Sequence, residues 1–108
     1  MISFDEFKKV EIKIGTILMA EKIPEADRLI KLSIDVGEET PRVIISGIAE
    51  YYLEPAILIG KQVPVLVNLT PRTILGHESQ GMVLYAVGDG FLTTLSPENK
   101  IPSGTKIQ

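Results

Sequence analysis

The sequence predicts an all-β protein, a five-stranded Greek-key barrel with a short N-terminal helix and C-terminal strand additions. Three observations predict it. Apolar residues alternate with polar ones in short runs, as in Ile30, Leu32, Ile34 and Val36 and again in Val63, Val65 and Val67, which is the period of a strand with one buried face. Turn residues are spread evenly, with no linker, internal repeat or low-complexity tract. The order of elements is three strands, a helical or irregular segment, then further strands, and a Greek-key barrel accommodates that order.

The elements follow from local chemistry. Ser3-Phe4-Asp5-Glu6 has the S-x-x-E spacing of a capping box, with Phe7 and Val10 following Phe4, so a short amphipathic helix is expected over about 4–9, lidding one end of the barrel. From Glu11 to Glu21 the apolar positions change from even (Ile12, Ile14) to odd (Ile17, Met19) across Gly15-Thr16, as in a long strand bent at a glycine bulge. Pro24-Glu25-Ala26-Asp27 turns the chain into a strand over Ile30–Val36, and Gly37-Glu38-Glu39-Thr40 turns it again. Arg42–Ser46 is the third strand. Ile48–Ile59 reads as helical or irregular and is interrupted by Pro55. Val63–Val67 is the fourth strand, ended by Asn68-Leu69-Thr70-Pro71, and a polar loop over Arg72–Gln80 leads into a fifth, Met82–Val87. Gly88-Asp89-Gly90 makes a hairpin, and Phe91–Leu95 and a short ending near Thr105–Ile107 complete the sheet. With the bent first strand, this order fits a barrel of the OB type.

The chain has 108 residues, the size of one domain covering 1–108 and large enough for a single core. Hydrophobic residues make up 44% and charged residues 23%, a globular composition. There are no cysteines and one histidine, His77, which excludes disulfides, thiolate metal sites, thiol catalysis and a multi-histidine metal centre within one chain. No cofactor is expected. The opening MISFDEFKKV carries acids and no apolar stretch, and nowhere do about 18 apolar residues run together, so neither a signal peptide nor a membrane span is expected and the chain reads as cytoplasmic. The net charge is −3, unlike nucleic-acid-binding domains with pI above about 9. Any nucleic-acid binding must therefore come from a local basic patch.

Several ordered motifs narrow the reading. Asp5-x-x-Lys8-x-Val10-Glu11-Ile12-Lys13 and Gly15 come first, then Pro24-x-Ala26-Asp27-Arg28-Leu29 and Arg42-x-x-Ile45-Ser46-Gly47-Ile48. Gly60-Lys61, Asn68-Leu69-x-Pro71-Arg72, Gly76-x-x-Ser79-x-Gly81-Met82, Pro97 and Gly104-x-Lys106 complete the series. The set resembles, over nearly the whole chain, the tRNA-binding OB domains that occur as free-standing proteins and as the C-terminal domain or beta chain of methionyl-tRNA synthetase. The resemblance implies a homodimer that recognises the folded body of tRNA at its outer corner, without catalysis. It also implies Asn68, Arg72, Ser79 and Met82 as the tRNA-contacting cluster, with Arg28, Lys31 and Arg42 as further electrostatic candidates. Thr73, Ile74 and Leu75 follow Arg72 where family members often add basic residues. The ending Ile101–Ile107 is also similar to that of the CsaA-type export chaperones, a sister branch that tends to lack the Ser-x-Gly-Met motif.

The residue chemistry fits that implication, with a structural alternative at each position. Asn68 can donate to a phosphate or 2′-hydroxyl, or close an Asx turn onto Thr70. Arg72 can fork onto a phosphate, or be a solvated surface charge. Met82 offers a polarizable contact beside Gly81, or belongs to the core. His77, followed by Glu78, is read as an incidental loop residue. Phe4 and Phe7 fall on the helix and Tyr51 and Tyr52 on the crossover, leaving only Tyr85 and Phe91 on or beside strands. That is too few for a base-stacking single-strand platform. His77, Glu78 and Ser79 resemble catalytic partners by type alone, since neighbouring loop side chains do not converge. By that resemblance, the expected protein is a non-catalytic tRNA-binding homodimer with methionyl-tRNA synthetase as a candidate partner. The alternatives are a CsaA-like chaperone for unfolded polypeptides and a plain dimerisation module.

Overall fold

The computed structural model describes residues 1–108. Its elements are α1 (Phe4–Phe7), β1 (Ile12–Ile23), β2 (Ala26–Asp35), β3 (Arg42–Ser46), a 3-10 turn (Pro55–Leu58), β4 (Gln62–Leu66), β5 (Arg72–Ile74), β6 (His77–Ser79), β7 (Met82–Val83), β8 (Tyr85–Gly88), β9 (Phe91–Thr94) and β10 (Lys106–Ile107). The main sheet runs β3-β2-β1-β4-β7, all antiparallel, with β10 added to β1. The segment before β7 returns to β3, where Gln80 N donates to Val43 O at 2.8 Å and Ile45 N donates to Ser79 Oγ at 2.9 Å. The free edge of β3 is thereby covered and the sheet curls into a barrel, as the strand order predicts.

The core is the alternating face of these strands. Ile30, Leu32 and Ile34 from β2, Ile44 from β3, and Val63 and Val65 from β4 are fully buried, which the period-2 pattern requires. Gly15 also points inward, since a Cβ there would lie 2.5 Å from Ile34 Cγ2. Gly15 and Ile17 therefore share the core face, and the expected bulge at Gly15-Thr16 is absent. The register of β1 against β2 slips instead between Ile17 and Met19. The apparent parity switch has another cause. Ile14 lies on the outer face, and its backbone pairs with the C-terminal segment, accepting from Gly104 N at 2.7 Å and donating to Thr105 O at 2.8 Å.

Other boundaries shift for equally local reasons. The capping box forms, with Glu6 N donating to Ser3 Oγ at 3.1 Å and Ser3 N to Glu6 Oε1 at 3.2 Å. The helix nevertheless spans only Phe4–Phe7 and buries none of its residues, so it does not lid the barrel. Pro55 opens the 3-10 turn rather than interrupting a longer helix, as its fixed φ favours. The stretch read as a polar loop, Arg72–Gln80, is mostly the β5–β6 hairpin, turned by Leu75 (φ 49°) and Gly76 (φ 80°). The expected fifth strand divides at Leu84, β7 pairing with β4 and β8 with β9. The C-terminal tail is fixed by buried Gln62, whose Nε2 donates to Ile101 O at 2.7 Å and whose Oε1 accepts from Ile101 N at 3.1 Å.

Candidate nucleic-acid interface

The β5–β6 hairpin lies beside β3 and leaves a cleft of about 270 Å³ against the barrel wall. Arg72, Ser79 and Met82 all line this cleft. Arg72 comes from the start of β5, Ser79 from the end of β6 and Met82 from β7. Their order in sequence becomes a cluster because β5 and β6 pair Arg72 opposite Ser79, and because the chain then turns sharply at Gly81. That glycine has φ 138° and is buried, and a Cβ on it would lie 2.8 Å from Leu66 O. No side chain fits there without moving the backbone of β4.

Each member has a distinct environment. Arg72 is exposed, and neither of the ion pairs in the structure involves it. Met82 is 44% exposed and so is not core. Ser79 is buried, and its hydroxyl accepts from Ile45 N at 2.9 Å and donates to Gly81 O at 3.4 Å. It anchors the hairpin to β3, with its hydrogen-bonding capacity directed inward.

Asn68 lies just beyond β4 and does not form the Asx turn onto Thr70. Its Oδ1 accepts from Glu11 N at 2.9 Å and its Nδ2 donates to Lys9 O at 2.6 Å. Together with Val67 N donating to Glu11 O at 2.9 Å, these bonds fasten the segment after α1 to the loop that leads to Arg72.

Arg42 is likewise engaged rather than free. Its Nε and Nη2 donate to the two carboxylate oxygens of Glu38, both at 2.8 Å, and its Nη1 donates to Val67 O and Gln80 O. The hydrogen bond from Arg42 is the largest influence holding the Glu38 carboxyl below its usual range. Val43 N donates to Gln80 Oε1 at 2.9 Å. Arg42, Glu38 and Gln80 thus join the loops on either side of the hairpin, and single-letter spacing carries no signal for Glu38 or Gln80.

The other cations are separated. Lys31 borders a shallow depression with His77, Glu78 and Gln80, on the hairpin's other side. His77 Nε2 lies 3.5 Å from Glu25 Oε1 in the β1–β2 turn, at the outer limit of a hydrogen bond. Arg28 is exposed within the irregular start of β2, where the register jumps from Lys22 opposite Ile30 to Ile23 opposite Ala26, and it borders neither the cleft nor the depression.

Among the residues lining the cleft, Tyr85 donates its hydroxyl to Ser46 Oγ at 2.9 Å. Burial pushes the Tyr85 phenol up to about 12, partly opposed by that bond. Tyr85 therefore remains a neutral hydroxyl at physiological pH. The sequence shows Tyr85 only as an aromatic on a strand, and this polar contact depends on the barrel closing.

A second exposed surface lies at α1 and β10. Phe4 (72% exposed), Phe7, Val10 and Ile107 form an apolar patch with Ile12 along a groove that also includes Lys13 and Lys106.

Residues 12–106 match the family described as "Putative tRNA binding domain". The chain is 51% identical over 108 residues to a methionine-tRNA ligase of Methanoregula boonei, covering 100% of this chain and 16% of that protein. It is 48% identical over 106 residues to the enzyme of Archaeoglobus fulgidus, covering 98% of this chain and 16% of that one. The chain thus spans about one sixth of the length of these curated relatives. Among solved structures, a MetRS-related protein from Pyrococcus horikoshii superposes with a TM-score of 0.91 at 38% identity, covering 100% of this chain and 98% of that one. The chaperone CsaA of Bacillus anthracis superposes at 0.88 with 35% identity, covering 100% and 99%.

Proposed function

The chain belongs to the tRNA-binding domain family, and on that premise we propose that it binds the folded body of tRNA as a non-catalytic homodimer in the cytoplasm, acting alone or in trans with methionyl-tRNA synthetase. The observation that carries this reading is the convergence of Arg72, Ser79 and Met82 on one cleft. Arg72 supplies an unpaired guanidinium for phosphate, Met82 an apolar contact, and Ser79 holds the hairpin that presents them. Asn68 and Arg42 act one step back, by fixing the loops from which the contacts project. Lys31, on the hairpin's other side, and Arg28, away from the cleft, would meet phosphates only at a distance from Arg72. No helix is long and apolar enough to cross a membrane. The α1–β10 patch supplies the dimer surface, because exposed aromatic rings gain most from burial against a second copy. A dimer doubles the net charge of −3, so tRNA docks on a local basic area of an otherwise repelling surface and binding is strongly salt-dependent.

The test is a titration with bulk tRNA, an RNA hairpin and an unstructured peptide at two salt concentrations, with the mass of the free protein measured. Preference for tRNA that weakens with salt supports the proposal, and Arg72→Ala is expected to reduce the salt slope by about 1. The likeness to CsaA and the exposed apolar patch favour a second reading, polypeptide binding. Capture of the peptide but not tRNA would establish that reading instead.

A further inference from the structure

The cleft beside the hairpin has a composition that a phosphate-binding surface alone does not require. Its walls are apolar, with Ile45, Ile48, Met82 and Leu92 among them. Its lining also includes the hydrogen-bonded hydroxyls of Ser46 and Tyr85. Ser46 is 7% exposed, and its Oγ accepts the Tyr85 hydrogen bond. That bond uses one lone pair of Ser46 and the only proton of Tyr85, so the Ser46 proton and both Tyr85 lone pairs remain able to pair with a ligand. Arg72 borders the same cleft.

We propose that this cleft seats a single unstacked RNA base, with its polar edge against Ser46 and Tyr85, its faces against the apolar walls and its neighbouring phosphate on Arg72. The proposal rests on the tRNA-binding reading above and deepens it. A base is apolar on its faces and carries donors and acceptors on its edge, which is the distribution the cleft presents. Folded RNA exposes such bases in loops, where they can be stacked on side chains and read on their edges. At about 270 Å³ the cleft accommodates one ring system rather than a stack. An aliphatic peptide side chain would fill the same walls but leave both hydroxyls without a new partner, and nothing in it would engage Arg72.

The experiment combines amide NMR of the intact protein with tRNA binding. Unstructured RNA trinucleotides, A3 and U3, are expected to shift the amides of Ile45, Ser46 and Met82, whereas a leucine tripeptide is not. Tyr85→Phe is expected to weaken tRNA binding about fivefold, the scale of one lost hydrogen bond, with its salt slope unchanged because no phosphate contact is removed. Met82→Glu, at an exposed position that leaves the core intact, is expected to weaken it further. If tRNA binds in a salt-dependent way while trinucleotides leave the cleft amides unmoved and both variants bind normally, the base seat is wrong and the tRNA-binding reading stands. If tRNA does not bind and the leucine tripeptide shifts those amides, both readings fail.

Discussion

Arg42 and Glu38 form a two-point ion pair, Nε to Oε1 and Nη2 to Oε2 at 2.8 Å each, that aims the remaining guanidinium nitrogen at the carbonyls of Val67 and Gln80. One side chain thus joins the end of β4 to the residue before Gly81, and the hairpin carrying Arg72 lies between those points. The planar fork of arginine is needed for this, because a lysine ammonium could not span three partners in fixed directions.

Arg42→Gln is expected to cost about 1–3 kcal/mol of stability, the cost of leaving carbonyls and a carboxylate without their donor. It should also weaken tRNA binding without changing its salt slope, because the residue positions loops and contacts no phosphate. Urea denaturation and a salt series check this, and a slope lowered by a full phosphate contact would show that Arg42 touches RNA directly.

Stability on the alkaline side should depend on Tyr85. Its pKa in the folded protein, about 12, lies above the ordinary phenol value near 10. The contribution is therefore fully present below about pH 10 and is lost as pH rises through about 12. Denaturation at a series of pH values is expected to show that decline in the wild type and a flatter profile in Tyr85→Phe. Absorbance at 295 nm, taken as the difference between the two proteins, should place the ionisation near pH 12.

Asn68→Ala removes two hydrogen bonds to the segment after α1 and is expected to cost about 1–2 kcal/mol. The amide of Glu11 should exchange with solvent faster, because its acceptor is gone. If tRNA affinity falls while exchange at Glu11 is unchanged, Asn68 reads RNA itself and its structural bonds are incidental.

Leu75 occupies the left-handed region at the hairpin tip, with φ 49° and 58% exposure. A β-carbon there costs roughly 1–2 kcal/mol, and the two-residue turn it forms with Gly76 suits Asn-Gly. Leu75→Asn is accordingly expected to stabilise the protein by about 0.5–1 kcal/mol, measured by thermal unfolding. Lower stability would mean that Leu75 packs against the barrel more than its exposure shows.

Elements with strong local chemistry were legible in the sequence: the Ser3–Glu6 cap, the Arg42–Ser46 strand and the alternating faces of β2 and β4. Elements whose identity depends on a distant partner were not. Ile12 and Ile14 suggested a bulge because a strand's two faces carry no label, and Ile14, buried on the outer face, has its backbone paired with the returning C-terminal segment. The β5–β6 hairpin was hidden because Leu75 stands where Asn or Asp would mark the turn. The split of 82–88 cannot be read from an apolar run that is continuous while its partners change. For the candidate site, Arg72, Ser79 and Met82 share one cleft whereas Asn68 is bonded to Lys9 and Glu11 outside it, and residue type could not separate the exposed Arg72 from the engaged Arg42. Both are arginines on short strands, and what distinguishes them is the set of partners that folding brings to Arg42, namely Glu38 across a turn and the carbonyls of Val67 and Gln80.

The pairing of β1 has a kinetic consequence. This strand bonds to β2, to β4 and to β10, so that Ile12 stands beside Leu66 on one side and Ile107 on the other. Ile12 and its neighbour Ile107 lie at opposite ends of the barrel's sequence, whereas β2 follows β1 directly. Contacts this distant in sequence slow barrier crossing, because loop entropy is lost before pairing compensates for it. Folding is expected in the millisecond-to-second range of barrel proteins, with β1 acquiring full protection from hydrogen exchange only when the last strand docks. Until then the folding domain presents β1 with an open edge, the interval in which it is most exposed to aggregation.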